Sequence, residues 1–416
     1  MSDLSFLLPL EITTDIMLRL PIKSIVTCAS VCKSWNSLIK SSAFTENHLH
    51  CTIQSYRRKD VHILLLRERK EIYSLYRNNP SALGSDQYVE LPYPSKFVFP
   101  ELHYLSEYHI VSGTCNWLVC LAFGYDISMQ EYPIIIWNPT VRKFVLLPRP
   151  SFIWDSYFDQ SGGYHCRVKW PRQTHAFGHD SRSNDYKVLR IVSGLEEEPA
   201  VRVEVYSLAR GSWRPLDVAV PACFKPQCIS SFINGASHWI QTLDKVGKRR
   251  DQDDDEYVIV LFNMETELFG EMQMPEALRK YKPRTSYIIS KYEECLALIE
   301  TGRQRELNVL QVWVMKEYGV VESWTRLYKI SGLVSIPLDP FGFKSSCELV
   351  LSMQLGRLNP LQTVNFENGE VKDFVIDEHH TSTRLPQPLR PGYDSVKSYF
   401  VESLVLFDHP SATSYF

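Results

Sequence analysis

No stretch of this sequence approaches the roughly 18 consecutive apolar residues that a membrane-spanning helix requires. A secretory leader is also lacking: Leu4–Leu10 is apolar but short, no basic residue precedes it, and it runs into Glu11. The Asn-x-Ser/Thr triplets at Asn79 and Asn138 are each blocked by proline, so neither can accept a glycan. Of the ten cysteines, Cys28/Cys32, Cys115/Cys120 and Cys223/Cys228 come in pairs, but none is spaced C-x-x-C, which argues against structural zinc. Charge of one sign is lacking too. The formal net charge of −3 excludes the basic face of a nucleic-acid binder. The basic cluster Lys245, Lys248, Arg249 and Arg250 is followed at once by Asp251, Asp253, Asp254, Asp255 and Glu256, the mixed run of a solvated loop. G-x-S-x-G elbow, P-loop and H-E-x-x-H are all missing. His379-His380 stand among Thr, Ser and Pro, as in an exposed loop, and Gly178 between His175 and His179 argues against a shared helical face. His238 beside Trp239 reads as a partly buried strand residue. These absences predict a chain of the reducing cytosol or nucleus with no catalytic residue, cofactor, metal, membrane or nucleic-acid partner.

What is there begins with residues 8–49. Ile12, Ile16 and Leu20 recur at i, i+4, i+8; Ile22, Ile25, Val26 and Ala29 at i, i+3, i+4, i+7; Val31, Trp35, Leu38 and Ile39 at i, i+4, i+7, i+8. These are three amphipathic helix stripes. Pro9 suits the first turn of the first helix, and Pro21 separates it from the second. A segment this small cannot bury a proper core alone. Its apolar faces need either the body behind it or a partner.

The order of residues here carries a resemblance. It comprises Leu8-Pro9, Glu11, Ile16-Met17-Leu18, Arg19-Leu20-Pro21-Ile22-Lys23-Ser24, the run Val31-Cys32-Lys33-Ser34-Trp35-Asn36-Ser37-Leu38-Ile39, Phe44 and His48-Leu49. The segment resembles the F-box. Thr27 and Cys28 depart from the basic and aromatic residues usual there, and Met17 replaces Ile or Leu. The resemblance implies docking on the Skp-family adaptor of a cullin-RING ubiquitin ligase, with Leu8, Pro9, Ile12, Ile16, Leu20, Pro21, Ile25, Val31, Cys32 and Trp35 as contacts. Exposed aliphatics around one Trp are the composition of an interface centre.

From about residue 51 the chain reads almost entirely as strands. A strand ending in an aromatic recurs at Tyr73, Trp137, Tyr206, Phe262, Trp313 and Val364-Asn365-Phe366, at intervals of roughly 50–70 residues. Several strands per unit, repeated about six times, predict a β-propeller; a β-sandwich or two smaller β domains is the alternative. Val201, Val203 and Val205 alternate with Arg202 and Glu204, as in a half-buried strand. Asn368-Gly369 reads as a two-residue hairpin turn. Ser398–Leu406 reads as a closing strand, expected to pair with the sheet of Ile63–Leu66 or Ile72–Leu75 and hide open edges. The fold class is therefore a small all-α domain, residues 1–50, and a large all-β domain, residues 51–416, forming a propeller of about six blades closed by the C-terminal strand.

A second resemblance follows. Gly113-Thr114-Cys115-Asn116, Leu118–Leu121, Trp137-Asn138-Pro139-Thr140-Val141-Arg142-Lys143-Phe144 and Leu146-Leu147-Pro148 look like the first block of plant F-box-associated domains. Phe177–Asp180, Asn184–Val188, Val203–Leu208 and Ser212-Trp213 resemble the next; Phe232–Trp239 resembles a third, and Tyr399–Leu406 the usual ending. Trp117 stands where the family has Gly, and the paired glycines of a kelch repeat are not evident.

Together the two resemblances imply a non-catalytic substrate receptor of an SCF-type ubiquitin ligase, whose β domain binds a protein target. Alternatives are a scaffold protein working outside a ligase and, third, a propeller enzyme. The family's roles include self-incompatibility, defence and hormone-linked turnover. The candidate target-binding loop is Ser151–Arg172, with Phe152, Trp154, Tyr157, Phe158, Tyr164 and Trp170 as aromatic anchors. The competing reading packs these rings onto the blades, since large aromatics more often fill cores.

Overall fold

The computed structural model of the chain describes residues 9–58, 63–69, 72–77, 87–92, 109–116, 118–123, 134–152, 157–158, 168–169, 172–193, 201–224, 230–243, 256–280, 285–304, 307–333, 336–354, 361–373 and 403–415. Four helices come first: α1 (Leu10–Leu18), α2 (Ile22–Ala29), α3 (Lys33–Ile39) and α4 (Ser42–Arg58). The three predicted stripes fall on α1 to α3, although Val31 itself precedes α3; α4 is an addition, and residue 50 lies inside it. Both prolines stand just ahead of a helix. The Pro9 carbonyl accepts the Thr13 N–H at 3.0 Å, and the Pro21 carbonyl accepts those of Ser24 and Ile25 at 2.9 and 3.1 Å. Neither proline therefore costs a helical hydrogen bond.

The β region opens with a three-stranded sheet of β1 (Ile63–Arg69), β2 (Ile72–Arg77) and β3 (Gln87–Pro92). Next come β4 (His109–Cys115), β5 (Leu118–Phe123), β6 (Ile134–Asn138) and β7 (Lys143–Leu146). A short ribbon of β8 (Tyr157–Phe158) and β9 (Val168–Lys169) precedes β10 (Arg172–Asp180), β11 (Asp185–Ser193), β12 (Val201–Ser207) and β13 (Ser212–Leu216). Then follow β14 (Ser231–Ile233), β15 (Ala236–Leu243), β16 (Glu256–Asn263) and β17 (Phe269–Gln273), and β18 (Thr285–Tyr292), β19 (Cys295–Gln304), β20 (Leu307–Met315) and β21 (Trp324–Ser331). The last set is β22 (Ile336–Ser345), β23 (Glu348–Gln354), β24 (Leu361–Asn365) and β25 (Val371–Asp373), with β26 (Thr413–Ser414) at the end.

Each set of four is an antiparallel meander in sequence order. The first strands β4, β10, β14, β18 and β22 contact their successors in turn, and β22 contacts β1. Apolar clusters fill the gaps between consecutive sheets. Leu118, Ile136, Phe177 and Tyr206 pack between the first two blades; Leu189, Val205, Trp239 and Phe262 between the next two; two similar layers follow. This is a β-propeller, in which both faces of every interior blade are buried. Trp137, Tyr206, Phe262, Trp313 and Val364 all stand on the third strand of their blade, so the sequence repeat marks one structural position. Tyr73 breaks the rule: it lies on the second strand of a three-stranded sheet.

Three expectations are corrected. The described residues hold five full blades of four or more strands, not six; β1–β2–β3 has one strand too few. Residues 403–404 are irregular and 405–408 form a turn rather than the end of a strand, and residues 398–402 lie outside the described residues. The C-terminal chain instead joins the first full blade, β26 pairing with β7 through Thr413 to Phe144 and Ser414 to Lys143. The β24–β25 turn spans residues 366–370, with positive φ at Gly369 (71°) and not at Asn368.

Strand direction sorts the connections by end. Links between first and second and between third and fourth strands, such as residues 139–142, 181–184, 208–211 and 264–268, are tight turns at one end of the propeller. The second and third strands of a blade, and the last strand of one blade and the first of the next, are joined at the other end. The helices sit at the tight-turn end. Val141 of the β6–β7 turn packs against their core, and Glu46 of α4 accepts a hydrogen bond from Asn184 of the β10–β11 turn.

Candidate docking surface

The helical segment has two apolar faces, and the fold separates them. Met17, Ile22, Ile25, Ile39 and Phe44 turn inward around Leu404 from the C-terminal segment. Ile25 is 0% exposed. Its place in the predicted contact set is corrected, because it serves the helical core and presents no surface to a partner. The other face stays open. Leu10 is 61%, Ile12 47%, Ile16 47% and Val31 63% exposed. Pro9 and Pro21 are exposed beside them, and Leu20, Cys32 and Trp35 are half-buried; Leu8 lies outside the described residues. Ile12 and Ile16 lie one turn apart on α1 and project from the same side. Periodicity did not single out Leu10, which stands outside the stripe. Several exposed aliphatics on one small domain make it the candidate docking surface.

His48 of α4 holds this segment in shape. Its Nε2 lies 3.2 Å from the Leu20 carbonyl at the end of α1. Burial lowers its pKa, against the opposing pull of that carbonyl, and Nδ1 has no hydrogen-bond partner. On the exposed side Asp15 and Arg19 pair at 2.9 Å across one turn, a contact worth little to stability.

The predicted target loop is described only at its start and in its ribbon. Phe152 packs onto the second full blade: the guanidinium carbons of Arg190 and Arg202 lie 5.0 and 5.7 Å from its ring centroid. Arg190 donates to the Phe152 carbonyl at 3.0 Å, and the Ser151 N–H donates to Glu204 at 2.9 Å. This first anchor is thus committed to the blade. Tyr157 and Phe158 form β8, opposite Lys169 and Val168. Trp154, Tyr164 and Trp170 lie outside the described residues, as do His379 and His380.

Among the described residues, His175, His238, Cys115 and Cys120 are each enclosed by the fold. His175 is buried with Nε2 unpartnered, its pKa lowered to about 3 by burial and by the nearby charge of Arg190. His238 is pinned between the Ser231 carbonyl at 3.2 Å and the Tyr318 hydroxyl at 2.7 Å. Burial pushes the Cys115 thiol up to about 12 and moves Cys120 in the same direction, leaving both as inert core residues. Among the described residues no group of three or more His, Cys, Asp or Glu is placed to hold a metal ion, and no helix is long and apolar enough to cross a membrane.

Comparison with known families decides the identity. The F-box domain family matches residues 6–47, and the F-box associated beta propeller domain family matches residues 70–405. The chain belongs to the plant F-box proteins with an F-box-associated propeller. Among similar curated proteins are an F-box/kelch-repeat protein of Arabidopsis thaliana, 26% identical over 377 residues and covering 87% of this chain and 88% of its own length. The F-box protein CPR1 of the same plant is 27% identical over 343 residues, covering 78% of this chain and 73% of its own. Solved structures with a distant likeness include a puromycin hydrolase (TM-score 0.39, 10% identity, covering 64% of this chain and 39% of that one) and TolB from Acinetobacter baumannii (TM-score 0.37, 11% identity, 80% and 72%). The exposed Leu10, Ile12, Ile16 and Val31 thus lie within the F-box of this F-box protein.

Proposed function

We propose that this F-box protein is the non-catalytic substrate receptor of an SCF-type ubiquitin ligase in the cytoplasm or nucleus. The ridge of Pro9, Ile12, Ile16, Pro21 and Val31, flanked by Leu20, Cys32 and Trp35, docks on a Skp-family adaptor and through it on a cullin. The propeller holds a protein target. One observation carries this reading: the F-box packs firmly on its own body, yet Ile12 and Ile16 remain half exposed. An apolar face that the chain could have buried, and does not, is the surface left for another polypeptide. The target is held at the end away from the F-box, where the longer connections between strands emerge, because loops carried on a rigid scaffold supply most specific contacts. The chain's contribution is proximity and orientation for ubiquitin transfer to target lysines.

The test is co-purification of the full chain with a recombinant Skp-family adaptor and a cullin. An Ile12→Asp/Ile16→Asp variant loses both while its melting profile stays that of the parent. Equal recovery of adaptor by parent and variant ends the docking assignment; adaptor recovered without cullin favours a scaffold outside a ligase.

A further inference from the structure

The C-terminal segment Ser403–Tyr415 touches both halves of the molecule. On the propeller side, Asn138 at the end of β6 is fully buried and uses its whole amide. Its Nδ2 donates to the carbonyls of Ser403 at 3.1 Å and Val405 at 2.6 Å, while its Oδ1 accepts the N–H groups of Thr140 at 2.9 Å and Val141 at 3.4 Å. Trp137 donates its indole N–H to the buried Tyr415 hydroxyl at 2.5 Å. Lys143 donates to the Phe407 carbonyl at 2.6 Å, and β26 adds to the edge of β7. Leu406 sits at φ 72°, a region that side chains with a Cβ rarely adopt, so the surrounding contacts over-determine this turn. On the F-box side, Leu404 enters the core of Met17, Ile22, Ile25, Ile39 and Phe44; Phe407 packs on the same cluster, and Asp408 pairs with Lys40, the residue that caps α3, at 2.6 Å.

We infer that this segment is a coupler: the Trp137-Asn138 corner clasps it, and it in turn locks the F-box to the tight-turn end of the propeller. Leu404 and Asp408 are positioning residues that set one fixed angle between the docking ridge and the target-holding end. The inference rests on the proposed receptor role for its purpose, but its geometry stands apart from that role. Packed side chains hold elements in discrete arrangements rather than a continuum. Besides the Val141 and Glu46–Asn184 contacts, Leu404 gives the F-box a point of hold inside its own core.

The experiment uses the full chain. A zero-length carbodiimide crosslink joins Lys40 to Asp408 in the parent, read by mass spectrometry. Lys40→Asp and Asp408→Lys each abolish it, and the Lys40→Asp/Asp408→Lys pair restores it. Leu404→Ala, which keeps Asp408 in place, lowers its yield and raises amide exchange in residues 403–408 and α3 by about ten-fold or more, a change of one decade in local opening. Adaptor binding by Leu404→Ala stays within about two-fold of the parent, because Ile12, Ile16 and Val31 are not among the residues packed with Leu404 and neutral contacts contribute little. Crosslink and exchange unaltered in Leu404→Ala, or no rescue in the swapped pair, overturns the coupler. A parent that crosslinks as expected but fails to bind adaptor leaves the coupler standing and removes the receptor role instead.

Discussion

Glu204 and Arg190 form the most exacting test of the packing described here. They lie side by side on β12 and β11, and Arg190 Nη1 is 2.5 Å from Glu204 Oε1 with neither side chain reaching solvent. A guanidinium cannot shed its proton in a protein. Replacing Glu204 by Gln therefore leaves a buried cation with no carboxylate beside it, facing neutral acceptors such as Gln173 at 3.2 Å and the Phe152 carbonyl at 3.0 Å, and the Phe152 ring. Removing one member of a buried pair costs about 3–5 kcal/mol, whereas replacing both with apolar residues of like volume is nearly neutral. The expected results are a loss of about 3 kcal/mol or more for Glu204→Gln and near-parental stability for Arg190→Met/Glu204→Leu. Arg190→Met strands the carboxylate in turn and costs a similar amount. Urea unfolding of the full chain, followed by circular dichroism and compared with the parent, measures all three. Single variants within about 1 kcal/mol of the parent, or a double variant no better than the sum of the singles, would refute the argument.

Three further outcomes follow from the same physics. Ile25→Ala costs about 2–4 kcal/mol of F-box stability through the cavity it opens, whereas Ile16→Asp leaves melting unchanged and weakens adaptor binding by about 2 kcal/mol or more; thermal unfolding and calorimetric titration with a Skp-family adaptor separate the two. His48, His175 and His238 all have pKa values lowered by burial, to about 3 for His175 and about 4 for His238. The unfolded chain takes up those protons first, so stability falls as pH drops below about 6.5, by up to ~1.4 kcal/mol per pH unit for each histidine; a melting temperature flat from neutrality to about pH 4.5 would contradict this. Gly178→Ala drives a Cβ into the ring of Phe232 in the next blade, and the forced movement of that ring costs about 1–3 kcal/mol in urea unfolding.

The sequence made the blade repeat legible because one position dominates it. The aromatic or aliphatic near the close of the third strand is buried at Trp137, Tyr206, Phe262 and Val364 and half-buried at Trp313, and it recurs wherever the chain turns back. Other features were hidden for physical reasons. Glu204, in a strand that alternates polar and apolar, reads as solvent-facing. A propeller buries both faces of an interior blade, so it stands instead in an inter-blade gap opposite Arg190. Periodicity also shows that Ile12, Ile16 and Ile25 lie on apolar faces without saying which face meets the chain's own body. That was decided by Leu404, nearly four hundred residues away.

The C-terminal run is the sharpest case. Leu404-Val405-Leu406 has the apolar character of a strand, and strand pairing would satisfy its backbone. In the fold Asn138 supplies the hydrogen bonds that a neighbouring strand would have given, taking the carbonyls of Ser403 and Val405 onto one side-chain amide. Freed from ladder geometry, the run can turn at Leu406 and send Leu404 into the F-box while Leu406 stays in the first inter-blade core. A strand there would have placed Leu404 and Leu406 on the same face, and one sheet face cannot serve two cores. The turn is thus what lets a few residues fill both, and an Asn138→Ala chain, losing both clasping hydrogen bonds with the rest of the core intact, is expected to free Leu404 before it frees Leu406. Amide exchange that rises at Leu406 first, or at both residues alike, would place the clasp elsewhere.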